Sequence, residues 1–418
     1  MDAVTEVPAD TDISSIPIDQ FDVSDPKLYQ DDTYYPYFER LRREDPVHFQ
    51  KDGLYGSFWS VTKFKDIMTV ETNHKIFSSR SDLGGVSLLE IPPEFRRPAF
   101  ISSDPPKHDE QRKVVQPIVA PANLQNFSHI IRQRTAKVLD GLPRNETFDW
   151  VSTVSIELTT MMLATLFDFP MEERNKLTFW SDVATLDLRS GHEIDTEEKR
   201  YAVLKEARET FSAMFYDRQK RGGGHDLISM LAHDPTTARL PENPMEFLGT
   251  LTLLIVGGND TTRNSMSTGV WALNKHPDEY AKLRANPGLI PTLVPEIIRW
   301  ASPIIHMRRT ALSDFELGGK TIREGDKVIM WYVSGNRDEE VIDEPNKFII
   351  DRKQARHHLA FGFGIHRCVG NRLAELQLQI LWEEIMKRFP VIEIQAEPTR
   401  IYSNQIHGIS ELPVRIPG

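Results

Sequence analysis

A single cysteine, Cys368, is the residue of this chain with the most distinctive chemistry around it. It is the only cysteine among 418 residues, so it forms no disulfide within the chain, and a zinc site would need ligands of other types. Gly364 and Gly370 flank it, which allows a tight turn and a close approach to another group. A predicted helix over residues 371–388 follows directly. Its free N–H groups would lower the pKa of Cys368, as suits an axial thiolate on haem iron.

A second group of reactive side chains lies in a long predicted helix over residues 243–275. Asp260 and Thr261 follow a pair of glycines, Gly257 and Gly258, in the middle of this helix. Each interior glycine costs about 1 kcal/mol relative to alanine, and an interior Asp or Thr competes for backbone hydrogen bonds. The glycines alone would favour a kink or close helix packing, but the adjacent acid and alcohol favour a functional site.

The residues around Cys368 match a known signature. Phe, Gly, His, Cys and Gly stand at offsets −7, −4, −2, 0 and +2 from the cysteine. This pattern resembles the haem-binding signature of the cytochrome P-450 superfamily of haem-thiolate monooxygenases. A lone cysteine is more often a small buried hydrophobe, and it is the five matched positions that favour the functional interpretation.

The resemblance extends over the whole chain, and it implies roles for individual residues. Cys368 would ligate the iron of haem b, within a loop that contains Phe361, Gly364 and Gly370. The haem propionates would be held by His108, Arg112, Arg309 and His366. On the central helix, Asp260 would relay protons and Thr261 would hydrogen-bond the bound oxygen, a form of general acid catalysis.

Three further residues are assigned to the stability of the fold rather than to chemistry. Glu296 and Arg299 match the Glu-x-x-Arg pair of the superfamily, and Arg352 is the candidate third member of the network. An exposed pair at this spacing would contribute only a few tenths of a kcal/mol to stability. The structural role assigned to Glu296 and Arg299 therefore requires that both side chains are buried.

Composition and charge exclude several function classes. The net charge of −11 argues against nucleic acid as a partner. The acidic segment 1–22 does not have the basic region followed by an apolar region that is typical of a signal peptide. The longest uncharged apolar run, residues 247–258, is too short to span a bilayer. We therefore expect a cytoplasmic protein without a membrane anchor.

The predicted architecture is mainly α with a small β region, as in the cytochrome P-450 fold. No linker or composition break divides the sequence, so we expect residues 1–418 to form one large monooxygenase domain with no fused reductase. Short strands are predicted near residues 47–61, and hairpins between residues 307 and 331. A long apolar loop at residues 82–100 is expected to cover a ligand.

Electrons would have to come from other proteins, because the sequence has no nucleotide-binding fingerprint. The resemblance implies NAD(P)H as the source, with ferredoxin and ferredoxin reductase as partners. Between residues 352 and 372 there are five basic residues and no acid. This stretch, which includes Arg352, would surround the thiolate side of the haem and dock an acidic ferredoxin by complementary charge.

Local sequence strings at residues 103–108 and 304–309 are most similar to the bacterial enzymes that hydroxylate alkanes and fatty acids at the terminal carbon. The substrate would be small and hydrophobic, with dioxygen as co-substrate. The predicted lining is aliphatic and has no charged anchor: Leu254, Val256, Gly257, Ile305 and Ile406. The alternatives are a hydroxylase of terpene or steroid substrates, a peroxide-driven peroxygenase and a haem-thiolate sensor that is not an enzyme.

Overall fold

The structure is a computed structural model, and it describes residues 13–418. The first twelve residues of the acidic segment 1–22 lie outside this range. Within it the chain is mainly helical with small sheets, which confirms the predicted fold class. No helix of residues 13–418 combines the length and the apolar character that crossing a membrane requires.

The helices are distributed over the full length of the described chain. They are α1 (Pro26–Gln30), α2 (Tyr35–Glu44), α3 (Phe64–Thr72), α4 (Lys107–Val115), α5 (Pro121–Asp140), α6 (Glu157–Phe167), α7 (Asn175–Thr185), α8 (Glu197–Arg221), α9 (Leu227–His233), α10 (Pro244–Lys275), α11 (Pro277–Ala285), α12 (Ile290–Ala301), α13 (Tyr332–Gly335) and α14 (Asn371–Arg388).

The strands of residues 13–418 are short and fall into four sheets. They are β1 (Val47–Gly53), β2 (Gly56–Val61), β3 (Phe77–Ser78), β4 (Thr147–Asp149), β5 (His306–Ala311), β6 (Phe315–Leu317), β7 (Lys320–Ile322), β8 (Lys327–Trp331), β9 (Glu393–Ile394), β10 (Thr399–Arg400), β11 (Ile409–Glu411) and β12 (Pro413–Arg415). The main sheet has the order β1-β2-β8-β5-β3, and only the β2–β8 pair in it is parallel.

Helix α10 is the longest helix of the described chain and packs at its centre. It begins where the sequence predicts, because the side chain of Asn243 accepts a hydrogen bond from the backbone N–H of Glu246 and so caps the first turn. Gly257 and Gly258 do not break it, and the helix is continuous over 32 residues. Buried residues of α10 belong to two of the hydrophobic clusters, so this helix joins the two largest parts of the core.

A buried ion-pair network holds α12 against the segment that follows α13. Arg299 contacts both carboxylate oxygens of Glu296 at 2.8 Å, and Arg352 Nε lies 3.0 Å from Glu296 Oε2. Arg299 also donates to the carbonyl oxygens of Asn336 and Pro345. Burial by itself would raise the pKa of Glu296, but Arg299, the backbone N–H of Ile349 and Arg352 together lower it.

Removal of one partner from this network should therefore destabilise the protein. Arg299→Met would leave the Glu296 carboxylate buried without its main partner, which typically costs about 3–5 kcal/mol. We expect a loss of that order in the free energy of unfolding, measured by denaturant titration. Arg239→Met is the control, because Arg239 and its partner Glu242 are both exposed and such pairs contribute about 0–1 kcal/mol. Equal losses in the two variants would contradict the structural role of the network.

Candidate active site

A large cavity of about 450 Å³ lies beside the middle of α10. Its walls include α10 itself, the loop over residues 84–102, the loop over residues 361–370 and the contact between Ile304 and Ile406, with further side chains from α4, α7 and β5. The apolar loop residues Val86, Leu89 and Ile91 line it, in agreement with the predicted covering role of this loop. The volume falls within the range of about 300–1,000 Å³ that is usual for small-molecule sites.

Cys368 faces this cavity from a closed loop. Its backbone N–H donates to the Phe361 carbonyl oxygen at 2.8 Å, which closes residues 361–368 into a tight turn. Gly364 has a positive φ of 64°, and a methyl group there would lie 2.4 Å from the Glu71 carbonyl oxygen. Phe361, Cys368 and Gly370 line the cavity, whereas Gly364 packs against the end of α3 and is not part of the wall.

The buried ion-pair network is connected to this loop by hydrogen bonds. Arg299 donates to the Asn336 carbonyl oxygen at 2.8 Å. The Asn336 side chain in turn accepts from the backbone N–H of Leu359 at 2.6 Å, two residues before Phe361. All three residues are buried. The network therefore fixes the start of the cysteine loop as well as the packing of α12.

The pKa of Cys368 does not shift in the predicted direction. Burial raises the pKa of the thiol above its ordinary value, while the backbone N–H groups of Gly370 and Asn371 and the guanidinium of Arg112 act in the opposite direction. The N–H groups at the start of α14 are positioned as expected, but desolvation of the thiolate by the surrounding wall is the larger effect. The expectation of a lowered pKa is thus wrong for the protein chain by itself.

Three of the four predicted propionate-binding residues line the cavity: Arg112, Arg309 and His366. The Nε2 atom of His366 lies 3.0 Å from the Ser79 hydroxyl, and its Nδ1 atom is buried without a hydrogen-bond partner. Burial lowers the pKa of His366 to about 2, so the ring is neutral at physiological pH. The Ser79 hydroxyl also contacts the Ser103 carbonyl oxygen at 3.1 Å, so its single proton has more than one acceptor and the neutral His366 ring fits either tautomer.

His108 does not reach the wall of this cavity. Its ring packs edge-on against His366 with 4.4 Å between centroids, and its Nδ1 atom contacts Asp109 at 2.7 Å. The Nδ1 proton is therefore shared with Asp109, and the buried Nε2 atom is without a hydrogen-bond partner. His108 thus packs against His366 and does not line the cavity, and its contact with a haem propionate stays a prediction.

Glu71 is a residue of the site that the sequence reasoning missed. Its carboxylate is buried, contacts the Tyr332 hydroxyl, and lies 3.6 Å from the Arg309 guanidinium. Burial raises the pKa of Glu71, and Arg309 opposes this shift. No sequence pattern distinguishes Glu71 from the other acidic residues of amphipathic α3, since only the tertiary fold brings it to Arg309.

The reactive residues of α10 face two different environments. Gly257 and Thr261 line the cavity, and nothing lies within 4 Å of a methyl group placed on Gly257. Asp260 is fully buried beside the cavity and does not line it. Since α10 is regular, residues 257 and 261 are one turn apart on the same face, and residue 260 points towards α7.

Asp260 has a complete set of partners. Its carboxylate lies 3.2 Å from the Ser181 hydroxyl, 3.3 Å from the Thr185 hydroxyl and 3.0 Å from the Arg263 guanidinium. Burial raises the pKa of Asp260 to about 6, and Arg263 and the two hydroxyls limit the rise. Thr185 itself lines the cavity, so this hydroxyl joins the carboxylate to the cavity.

Four of the five residues predicted to line the substrate pocket line this cavity, and one does not. Leu254, Val256, Gly257 and Ile406 line the cavity. Ile305 does not: it is fully buried in a separate aromatic cluster, while its neighbour Ile304 faces the cavity. Successive residues of an extended chain point to opposite sides, and the prediction chose the wrong one of the two.

The expectation of a lining without charge is also wrong. Arg96 and Arg97, in the loop over residues 84–102, both line the cavity. Arg96 donates to the backbone carbonyl oxygens of Ile91 and Asp82. Arg97 has no hydrogen bond or ion pair within residues 13–418.

The predicted basic stretch is only partly a surface feature. Arg352 belongs to the buried Glu296 network, while Lys353, Arg356, Arg367 and Arg372 are exposed. Arg356 lies 3.0 Å from Glu375 and is thereby neutralised in part. The exposed basic residues around the cysteine loop are therefore fewer than the sequence suggests.

Comparison with known proteins identifies the family. The family model for cytochrome P450 matches residues 289–416. Linalool 8-monooxygenase from Pseudomonas putida is 35% identical over 401 residues, which cover 94% of this chain and 98% of that protein. The chain belongs to the cytochrome P450 family.

Two solved structures support the same relationship for this cytochrome P450. The structure of cytochrome P450-153 from Novosphingobium aromaticivorans has a TM-score of 0.89 at 45% identity and covers 94% of this chain and 99% of its own. CYP153D17 from Sphingomonas sp. PAMC 26605 has a TM-score of 0.90 at 48% identity and covers 96% and 100%. The protein is thus an oxidoreductase of the cytochrome P450 monooxygenase type.

The raised pKa of Asp260 in this cytochrome P450 predicts a pH-dependent effect on stability. The folded protein holds the Asp260 proton up to about pH 6, whereas the unfolded chain loses it near pH 3.9. The contribution of this group to the free energy of unfolding therefore falls as pH rises through this interval. Because asparagine does not titrate, the Asp260→Asn variant should gain stability relative to the parent between about pH 4 and about pH 7.

Asp314→Asn provides the matched control for this measurement by denaturant titration. The backbone N–H of Glu324 and the guanidinium of Arg323 lower the pKa of Asp314, so this carboxylate is ionised in both the folded and the unfolded state above about pH 4, and the stability of the variant relative to the parent should stay constant between about pH 4 and about pH 7. A difference between Asp260→Asn and the parent that is constant with pH would show that Asp260 does not titrate in this range.

Proposed function

We propose that the cavity binds haem b with Cys368 as the axial ligand, and that this cytochrome P450 hydroxylates the terminal carbon of linear aliphatic substrates. The observation that carries the haem assignment is the convergence of one cysteine and three nitrogen donors on a single cavity. Cys368 has the backbone N–H groups of Gly370 and Asn371 directed towards its sulfur. Such donors stabilise a thiolate that ligates iron.

The polar residues of the wall fit the carboxylates of a haem. The buried Nδ1 atom of His366 has no hydrogen-bond partner, and Arg112 and Arg309 line the same cavity. A buried polar atom without a partner is costly, and with the proton on Nδ1 a bound propionate would satisfy it. Arg309 is held by Glu71 at 3.6 Å, so its guanidinium is already oriented when the group binds.

When bound, haem would activate dioxygen. In the net reaction, one oxygen atom is inserted into a substrate C–H bond and the other leaves as water. The reaction consumes two electrons and two protons. Asp260 would hold a proton near physiological pH, since its pKa is about 6. Thr185 contacts Asp260 at 3.3 Å and reaches the cavity. Thr261 lines the cavity and would position the proton donor within it.

Separate proteins would deliver the electrons from NAD(P)H, with a ferredoxin as the direct donor and a ferredoxin reductase before it. Support for an acidic partner comes from the exposed residues Lys353, Arg367 and Arg372 near the cysteine loop. Complementary charge accelerates such an encounter and makes it sensitive to salt.

The shape and polarity of the cavity support a linear aliphatic substrate. Leu253, Leu254, Val256, Ile304 and Ile406 form an apolar wall on both sides of the space in front of Cys368. Burial of each methylene contributes about 0.8 kcal/mol, so affinity should rise with chain length. Inner C–H bonds are weaker than those of the end methyl, and terminal hydroxylation requires walls that admit only the chain end.

The second candidate is an acyclic terpene alcohol. It is favoured by the 35% identity to the Pseudomonas putida protein, which is named linalool 8-monooxygenase. Linalool is itself an open chain, and its position 8 is an end methyl group. Both candidate substrates must therefore enter the site with a chain end towards Cys368. They differ in whether the chain is branched near that end.

Product analysis with n-octane tests the proposed regiochemistry. With ferredoxin, reductase and NADH supplied, we expect octan-1-ol as the main product, because the walls exclude the inner carbons. Val256→Ala widens the wall on α10 and should raise the share of internal alcohols. Mainly octan-2-ol and octan-3-ol from the parent enzyme, or stronger binding of a steroid than of any linear chain, would contradict the proposal.

A further inference from the structure

We propose that His306 is a positioning residue that links the loop over residues 84–102 to the loop over residues 401–408, and that this link decides which carbon of a bound substrate faces Cys368. His306 is the first residue of β5 and is fully buried. Its own side chain does not line the cavity, so it would act through the two loops. The inference rests on the function proposed above and concerns how that site selects a carbon atom.

The side chain of His306 makes one hydrogen bond to each loop. Its Nε2 atom accepts from the backbone N–H of Leu88 at 3.3 Å, and its Nδ1 atom lies 2.8 Å from the Asn404 carbonyl oxygen. A backbone N–H can only donate and a carbonyl oxygen can only accept, so Nδ1 carries the proton and Nε2 the lone pair. Burial lowers the pKa of His306 to about 4, which keeps the ring neutral at physiological pH.

The backbone N–H of Leu88 depends on this contact. Within residues 13–418 it donates to no other acceptor, and Leu88 is fully buried. An N–H that is buried without an acceptor is costly, so the loop would rearrange if the Nε2 lone pair were removed. Val86, Ser87 and Leu89, which surround Leu88 in the chain, line the cavity. A shift of Leu88 would therefore move a part of the wall that the substrate contacts.

The loop over residues 401–408 is anchored independently of the histidine ring. The side chain of Asn404 donates to the Ser24 carbonyl oxygen at 2.7 Å. The backbone N–H of Ile305 donates to the Gln405 carbonyl oxygen at 3.0 Å, and Gln405 lines the cavity. The histidine ring therefore holds the loop over residues 84–102 against a part of the wall that has its own anchors.

The relative position of the two loops determines the width of the cavity, because both contribute to its wall. Val86 and Leu89 belong to one loop and Ile406 to the other. Without the link the two parts of the wall could separate. Inner carbons of a chain, whose C–H bonds are weaker than those of the end methyl group, could then reach the reacting position. A fixed distance between the loops favours the orientation in which only the chain end reacts.

Three substitutions separate the two contacts of the ring. His306→Gln can place its amide oxygen where Nε2 stands, so it can still accept from Leu88. His306→Asn has a shorter side chain that can place its NH2 group near the position of Nδ1, so it can still donate to Asn404. His306→Phe keeps an aromatic ring beside Trp331, whose ring centroid lies 5.1 Å from that of His306, and makes neither contact.

Amide hydrogen exchange of the holoenzyme measures the link directly. Exchange of the Leu88 N–H, followed by mass spectrometry of the peptides that contain it, should be roughly tenfold faster in His306→Phe and His306→Asn than in the parent, since a buried N–H without an acceptor opens more readily. His306→Gln should stay within about threefold of the parent, because its oxygen still accepts. Equal exchange in the parent, His306→Asn and His306→Phe would overturn the link, whatever the products are.

The products formed from n-octane test the consequence for the reaction. The share of internal alcohols should rise about twofold or more in His306→Phe and His306→Asn, since small differences in barrier decide between carbons. His306→Gln should resemble the parent. Thr310→Val is the matched control: the Thr310 hydroxyl donates to the Leu83 carbonyl oxygen at 2.9 Å, so this variant also loses a contact between β5 and the start of the loop. Its products should match those of the parent.

The possible failures are distinguishable. An unchanged share of internal alcohols in His306→Phe and His306→Asn, or the same rise in Thr310→Val, would overturn the role of His306 in selecting the carbon. Mainly internal alcohols from the parent would instead refute the proposed terminal hydroxylation, and the exchange of Leu88 would still decide whether the link exists. Each variant should purify with the haem occupancy of the parent, measured by the pyridine haemochrome assay. Loss of haem from all three His306 variants would show a general effect on folding and overturn the selective role.

Discussion

The backbone of the loop over residues 361–370 is the constraint on which the active site depends. A hydrogen bond from the Cys368 N–H to the Phe361 carbonyl oxygen closes this loop, and Gly364 packs against the Glu71 carbonyl oxygen at a distance that admits no side chain. The buried pair of Glu296 and Arg299 reaches the same loop through Asn336. Buried ion pairs contribute little net stability on their own, so we interpret this one as fixing the position of the loop.

The cavity combines polar and apolar walls. Cys368, Arg112, Arg309 and His366 line it, and Asp260 reaches the space through Thr185. Leu253, Leu254 and Val256 of α10 add an apolar wall. Binding energy gained at the apolar wall would position the carbon that reacts.

Local signals in the sequence predicted the bounds of the helices. They did not predict which way a side chain points where only the tertiary fold determines that direction. The bounds of α14 and of α10 followed from their caps and from the positions of proline. The trio of Glu296, Arg299 and Arg352 was expected to form a network, and the three side chains are in contact. Ile305 was misplaced because alternation in an extended segment does not say which of two neighbours faces the cavity.

Other residues could not have been placed from the sequence alone. Arg97 stands in an irregular loop rich in proline, where no periodicity assigns a direction to a side chain. His108 shares the expected helix with Arg112, yet only Arg112 lines the cavity, and the ring of His366 packs against His108. The pKa of Cys368 was misjudged because the helix N-terminus is visible in the sequence, whereas the desolvation of the thiol depends on the packed cavity.

The most direct test of the central claim is the carbon monoxide difference spectrum of the reduced Cys368→Ser variant, compared with that of the parent. The parent should show the long-wavelength Soret band of thiolate-ligated haem, and the variant should lack it, because the chain has no other cysteine to supply a thiolate. A variant that binds haem and retains the band of the parent would show that Cys368 is not the ligand.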